Sequence, residues 1–316
     1  MKFNAKTAAV LLALGLGCAH AETVKPKITR ALGAEQAKAA LAARKLPPRP
    51  LAEPTVGPRA DLPALDAEEI VARNVQARGG AANWAAIHAI SYEGRMDAGQ
   101  ARVDGGNVAT TAKQHRVERR LTALKEAPPP EVIQLPYRLD LQKPHRMRLE
   151  IPFAGQTAVQ VYDGQHGWKV RPYLGRKEAE PFTPDEMRAA AGDEPLDGPL
   201  IGHAAKGVRV ALDGTEMVEG RGTYRLRITL PGGEQRRVWV DGQTFLEAKV
   251  EGSPRRFDGK LRPVVTYLRD WRAESGVQVA HLMETRVEGT RQNERLVVES
   301  VRVNPPLEPS RFEKPL

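Results

Sequence analysis

The stretch HRMRLEIPFAGQTAVQVYDGQHGWKVRPYLG, residues 145–175, decides the fold class of this chain. Within it Met147, Leu149 and Ile151 alternate with Arg148 and Glu150, which is the period-two pattern of a strand with one buried face. An Ala-Gly and an Asp-Gly pair then interrupt the alternation, and both pairs are turn signals because Asp and Gly tolerate a positive φ. The stretch therefore predicts a three-stranded antiparallel meander.

The same alternation continues from Gly207 almost to the C terminus. Leu226 and Ile228 alternate with Arg225 and Arg227, and turn signals such as Pro-Gly-Gly separate successive runs. A sheet of about eleven strands must curl, because strands twist and large open sheets do not stay flat. The residues leave three arrangements open: a closed barrel, an incompletely closed sheet with helices across an apolar cavity, and a two-sheet sandwich.

Helix signals precede the first strand. Asp66 is placed to N-cap a helix with Glu69 three residues on, and Gly79 with Gly80 should stop it. A second short helix should contain Trp84.

Two further helices are predicted between strands. Thr183 and Glu186 form a capping-box pattern, and Pro199 to Lys206 is a weakly apolar segment that ends at Gly207. Both are candidates for a cover over the sheet face, and an incidental crossover explains them equally well.

The N-terminal region has the features of an export signal. Residues 1–21 contain Lys2 and Lys6, an apolar run and an A-x-A site, so we expect a cleaved signal peptide and a periplasmic protein. The alternative is a lipid anchor on Cys18, the single cysteine. Residues 22–65 are rich in Ala and Pro and predict a flexible linker or tail, ahead of one domain over 66–316. Within that domain, residues 98–136 are expected to be partly an insertion.

The charge balance and the placement of the basic residues indicate whether the protein binds nucleic acid. Lysines and arginines number 48 against 39 acidic residues, giving a net charge of +9. The arginines alternate with apolar residues, which predicts a solvated outer sheet face. No aromatic platform is interleaved with the basic pairs, and an exported protein does not meet nucleic acid, so we expect no nucleic-acid partner.

Motifs for catalysis and metal binding are missing from the sequence. It contains no G-x-S-x-G, no H-E-x-x-H and no C-x-x-C pattern. We therefore expect no enzyme activity, no catalytic residues, no metal and no cofactor.

Three segments carry a resemblance to a known family. Residues 70–80 followed by Trp84, the segment YDGQHGW at 162–168, and NPPL at 304–307 with Phe312 are similar to motifs of bacterial periplasmic outer-membrane lipoprotein-sorting proteins, the LolA/LolB-like carriers. The similarity runs from about Asp66 to the C terminus. Residues 22–65 and 98–136 have no counterpart in that family.

The resemblance implies a mainly β (α+β) fold, in which a curled antiparallel sheet forms an unclosed half-barrel with short helices over its concave face. It implies a monomeric, non-enzymatic carrier that binds lipoprotein or other lipid acyl chains, in which an envelope membrane protein is a further possible partner. An alternative is a periplasmic regulatory or envelope-assembly module of the same fold that binds a protein. The residues expected to line the lipid cavity are Tyr92, Met96, Leu149, Val159, Val161, Leu226, Ile228, Val238 and Val240, and those expected in the lid are Met187, Leu200 and Ile201.

Overall fold

A computed structural model describes residues 57–100, 132–192, 196–257, 259–290 and 293–316. The predicted signal peptide with Cys18, residues 22–56 of the predicted linker and residues 101–131 of the predicted insertion lie outside the described residues. Of the remaining insertion residues, 98–100 and 132–136 belong to the first two strands.

The described residues form one antiparallel sheet of thirteen strands. The strands are β1 (Ala89–Gln100), β2 (Val132–Gln142), β3 (Arg146–Phe153), β4 (Gln156–Tyr162), β5 (Gly167–Arg171), β6 (Arg176–Pro181), β7 (Arg209–Val218), β8 (Arg221–Thr229), β9 (Gln235–Asp241), β10 (Glu247–Phe257), β11 (Lys260–Glu274), β12 (Val277–Val287) and β13 (Asn293–Val303).

The strand order explains how the sheet is both curled and open. The order is β6-β5-β4-β3-β2-β1-β13-β12-β11-β10-β9-β8-β7, so strands adjacent in sequence pair with each other, except β6 with β7, and β1 also pairs with β13. β6 and β7 form the two edges and do not pair with each other. The chain between these two edges is described over residues 182–192 and 196–208. The predicted fold class, an unclosed curled antiparallel sheet with short helices, is confirmed, with two more strands than the sequence indicates.

Three α-helices accompany the sheet in the part of the chain that the structure describes: α1 (Ala67–Ala77), α2 (Ala81–Ala86) and α3 (Pro184–Gly192). Asp66 caps α1 as predicted, since its side chain accepts a hydrogen bond from the Glu69 N–H at 2.8 Å. Gly79 follows the helix with a φ of 106°, a conformation that favours glycine. The predicted N-terminal helices are therefore confirmed.

The predicted helix from Pro199 to Lys206 is wrong. Residues 196–207 form consecutive turns instead. Gly198, Gly202 and Gly207 have φ values of 75°, 63° and 70°, and left-handed residues at this spacing do not allow a continuous helix. These residues belong to the connection between the two sheet edges, whose described residues, 182–192 and 196–208, we call the crossing segment.

Two apolar clusters occupy the concave face. The first joins α2 to β1–β4, β12 and β13, with Trp84, Ile90 and Leu149 at its centre. The second joins α1 to β7–β9, with Ile70 and Leu226 fully buried. Residues 57–65, assigned to the linker by their composition, pack beside the second cluster, and the Met217 N–H on edge strand β7 donates to the Pro58 carbonyl at 2.7 Å.

The C-terminal segment covers part of the convex face. Arg311 donates to the carboxylates of Asp140 at 2.5 Å and of Glu150 at 2.7 Å, and its carbonyl accepts from Arg148 at 3.0 Å. Phe312, next to it, is only 1% exposed. The convex face is therefore not simply a solvated surface near β2 and β3.

Candidate functional site: a cavity under the crossing segment

A cavity of about 300 Å³ lies on the concave face, bordered by both apolar clusters. Its walls come from β1–β4, β8–β13, the residues around α1 and α2, and the crossing segment. The apolar lining includes Tyr92, Leu139, Val264, Leu268, Met283 and Leu296. Burial raises the pKa of the Tyr92 hydroxyl to about 12, so this side chain is uncharged at neutral pH.

The crossing segment supplies the cover of the cavity. Ala190 and Gly192 at the end of α3, with Leu196, Gly198 and Pro199 after it, line the cavity opposite the sheet. The sequence therefore places small and apolar residues where the cover meets the cavity.

A buried ion pair holds the cover to the sheet. The Lys169 ammonium on β5 donates to both carboxylate oxygens of Glu186 on α3 at 2.5 Å, and the two side chains are 4% and 2% exposed. Glu186 also completes the capping box that the sequence predicts, because it accepts from the Thr183 N–H at 2.6 Å. One residue thus fixes both the start of α3 and its attachment.

One polar pair lies at the wall near the helices. The Arg78 guanidinium donates to Glu247 Oε1 at 2.6 Å, and both residues line the cavity. The guanidinium lies 4.7 Å from the ring centre of Trp84 and 5.0 Å from that of Trp271, distances at which cation–π attraction operates. This pair is one of several polar groups in the wall, which also includes Ser253, Thr266 and Thr285.

A second polar pair spans the curl of the sheet. Arg255 on β10 donates to both carboxylate oxygens of Glu294 on β13 at 3.0 Å, with β11 and β12 between them. Burial raises the pKa of Glu294 to about 7, and the Arg255 charge only partly opposes this rise. The raised pKa thus belongs to a carboxyl group that lies behind the cavity wall and contacts the lining residue Arg255.

Three of the nine residues predicted to line the cavity do so: Tyr92, Ile228 and Val238. Four others lie on the concave face within the apolar clusters but do not border the cavity, namely Met96, Leu149, Leu226 and Val240. They act as core residues behind the wall.

Val159 and Val161 lie on the opposite face, contrary to the prediction. Val159 pairs with Glu150 and Val161 pairs with Arg148, and residues paired across antiparallel strands share a face. Leu149 instead faces the same side as Gln160. Both valines are buried because the convex face is covered there, so their apolar character does not indicate the concave side.

The three predicted lid residues all belong to the crossing segment. Met187 on α3 is partly buried against the first cluster, where Ile201 is also found, and Leu200 lies in the second cluster. None of them borders the cavity itself, whose cover comes from their neighbours.

The sequence does not single out the cavity residues on β11 and β12. Val264, Thr266 and Leu268 face the cavity side, but Val265 and Tyr267 between them are equally bulky, so alternation cannot identify the concave face. The polar pairs are missed because Arg78 and Glu247 meet only in three dimensions.

No helix among the described residues is long and apolar enough to span a membrane. Within the same residues, no group of three or more His, Cys, Asp or Glu side chains is arranged to hold a metal ion.

No protein-family model and no curated protein matches the sequence. Solved structures do show similarity. A LolA superfamily protein from Nitrosomonas europaea gives a TM-score of 0.48 at 12% identity, over 79% of this chain and 99% of that one.

A domain from Vibrio parahaemolyticus named for outer membrane lipoprotein sorting gives 0.44 at 13% identity, over 78% of this chain and 95% of that one. A DUF1329 family protein from Desulfovibrio piger gives 0.45 at 13% identity, over 78% and 97%. All three TM-scores are below 0.5, so we assign the fold from the sheet itself.

Proposed function

We propose that this protein is a non-enzymatic carrier that binds the acyl chain of a lipid or lipoprotein in the periplasm. The observation that supports the proposal is the largely apolar cavity on the concave face of an open sheet, beneath a separate crossing segment. A closed, side-chain-filled interior would instead favour the alternative, a module that binds a protein partner. The sequence motifs that resemble lipoprotein-sorting carriers support the same function.

The energetics of an acyl chain suit such a cavity. Each methylene group removed from water contributes about 0.8 kcal/mol, so a lipid cannot cross an aqueous compartment unaccompanied at a useful rate. The volume of about 300 Å³ lies at the lower end of the range for ligand sites. A cavity of this size suits a single acyl chain.

Native mass spectrometry of protein purified from its own cell envelope is the first test. We expect a co-purifying lipid, and we expect the delipidated protein to bind a fluorescent fatty acid. Repeated absence of both would contradict the carrier proposal. A stable protein complex that survives delipidation would support the partner-binding alternative.

A matched pair of variants tests whether the cavity is the binding site. Val264 is 3% exposed and lines the cavity, whereas the next residue, Val265, pairs with Glu251 and Arg286 on the other face. We expect Val264→Phe to fill the cavity and weaken fatty-acid binding at least about tenfold, a change of ~1.4 kcal/mol.

Val265→Phe on the convex face is the control and should bind normally. Circular dichroism melting of both variants checks for overpacking, which typically costs about 1–3 kcal/mol. Equal binding by a folded Val264→Phe variant and the control would place the ligand elsewhere.

A further inference from the structure

The ion pair between Arg78 and Glu247 is held in position by two tryptophans. The Trp84 indole N–H donates to the Arg78 carbonyl at 2.9 Å, and the Trp271 indole N–H donates to the Glu247 carbonyl at 3.2 Å. Arg78 Nε also donates to the Gln278 carbonyl at 3.3 Å. Hydrogen bonds therefore hold both the side chains and the backbone carbonyls of this ion pair in place, and such rigidity is expected of a preorganised binding site.

The hydrogen bonds of Glu247 are incomplete. Its side chain is 4% exposed, and Oε1 accepts from Arg78. Oε2 is buried and has no hydrogen-bond partner among the described residues. A buried carboxylate oxygen without a donor is costly, because it has lost its hydration and gained nothing in return.

The position of this oxygen matters because Glu247 borders the cavity. Around it the lining is aromatic or aliphatic, with Trp84, Trp271 and Val250 nearby in the wall. Oε2 itself is covered by its neighbours, so the first polar group of a ligand in the cavity reaches this oxygen only after a side chain of the wall shifts.

We propose that Glu247 Oε2 accepts a hydrogen bond from the head of the bound lipid, so that the cavity selects amphiphiles with a hydroxyl or amide N–H next to the acyl chain. This inference rests on the proposed carrier function and adds a substrate class to it. Lipids whose polar groups are only ester or ether oxygens offer acceptors and no donor, and a carboxylate repels acceptors. They would leave Oε2 unsatisfied.

Two probes of the same chain length separate these classes. 1-Dodecanol carries a hydroxyl donor, and its methyl ether carries the same chain without one. Binding is measured by displacement of a fluorescent fatty alcohol, whose head carries a hydroxyl donor, with the emission of Trp84 and Trp271 beside the site as a second signal. We expect the protein to bind dodecanol about tenfold more tightly than the ether, as hydrogen bonds to charged groups permit.

The variant Arg78→Met/Glu247→Leu removes the whole pair. Replacing both partners of a buried ion pair with apolar residues is often neutral for stability, whereas removal of one leaves an uncompensated charge. We expect this double variant to stay folded, to bind the ether at least as well as the parent does, and to lose its preference for dodecanol.

The control is Arg95→Met/Glu299→Leu, which makes the same two replacements in an exposed ion pair whose residues do not line the cavity. It should keep the tenfold preference. Equal affinity of the parent protein for both probes, or a preference that survives in the Arg78→Met/Glu247→Leu variant, would overturn the inference while leaving the carrier proposal intact. Failure of both probes to bind would contradict the carrier proposal, and this inference with it.

Discussion

At the scale of single residues, the segment YDGQHGW contains one residue required by its own turn and another required by a side chain outside the segment. Asp163 forms the predicted turn, accepting from the N–H groups of Gln165 and His166 at 2.7 and 2.6 Å. Gly167 has a different role. A Cβ at this position would lie 2.0 Å from the ring of Phe182, which is at the start of the crossing segment and only 7% exposed. The sequence shows the glycine and the turn, but it cannot show which side chain packs on the glycine.

We therefore expect Gly167→Ala to destabilise the protein by about 1–3 kcal/mol, because the buried Phe182 ring must move. Urea denaturation measures the change. Gly232→Ala is the control, since a Cβ there meets nothing within 4 Å, and it should change stability by less than about 0.5 kcal/mol. Equal stability of the two variants would mean that Phe182 adjusts freely.

At the scale of elements, α3 is the part of the cover with the clearest attachments. Its first turn carries two acidic residues, one buried and one exposed. Glu186 is buried with Lys169, whereas Asp185 forms an exposed pair with Arg256 at 3.0 Å. Exposed pairs contribute little to stability, but removing one partner of a buried pair leaves a charge without compensation.

We expect Glu186→Gln to loosen α3, with a destabilisation of about 3–5 kcal/mol for this local attachment. Hydrogen–deuterium exchange should show faster exchange over Pro184–Gly192. Asp185→Asn, one residue earlier, should leave the exchange of α3 nearly unchanged. If both variants exchange alike, the Lys169 pair does not hold the helix.

The elements also show how far sequence patterns predict this structure. Strands with one polar face, such as β3 and β8, are identified by their alternation, and α1 and α3 by their caps. Edge strand β6, RKEAEP, has no alternation to recognise because neither face is fully buried. Strand β4 is recognised but assigned to the wrong face, since the covered convex side accepts Val159 and Val161.

At the scale of the whole molecule, the Arg255–Glu294 pair connects β10 to β13 across the curled sheet and couples stability to pH. The pKa of Glu294 is raised from 4.5 to about 7 in the folded protein. Between these values the folded state holds a proton that the unfolded state releases. The contribution of Glu294 to stability is therefore largest at low pH and falls as pH rises through about 7.

The variant Glu294→Gln cannot titrate at this position. Urea unfolding at about pH 5 and about pH 8 should show that the parent protein loses stability relative to the variant as pH rises. Only the difference between the two proteins is diagnostic, because carboxylates with lowered pKa values, such as Glu150, give the opposite trend in both. A difference that does not change with pH would contradict the assignment.

The strand order also determines which strand pairs carry the largest entropy cost of chain closure. Most strand pairs join neighbours in sequence, so the chain between them is short. β1 is different, because residues 101–131 separate it from β2 and most of the described chain separates it from β13. Closure entropy grows only logarithmically, about 0.6 kcal/mol for each doubling of the loop, so both separations are tolerable. Strand β1, which carries Tyr92 at the cavity wall, is therefore the strand whose two pairings join the segments farthest apart along the chain.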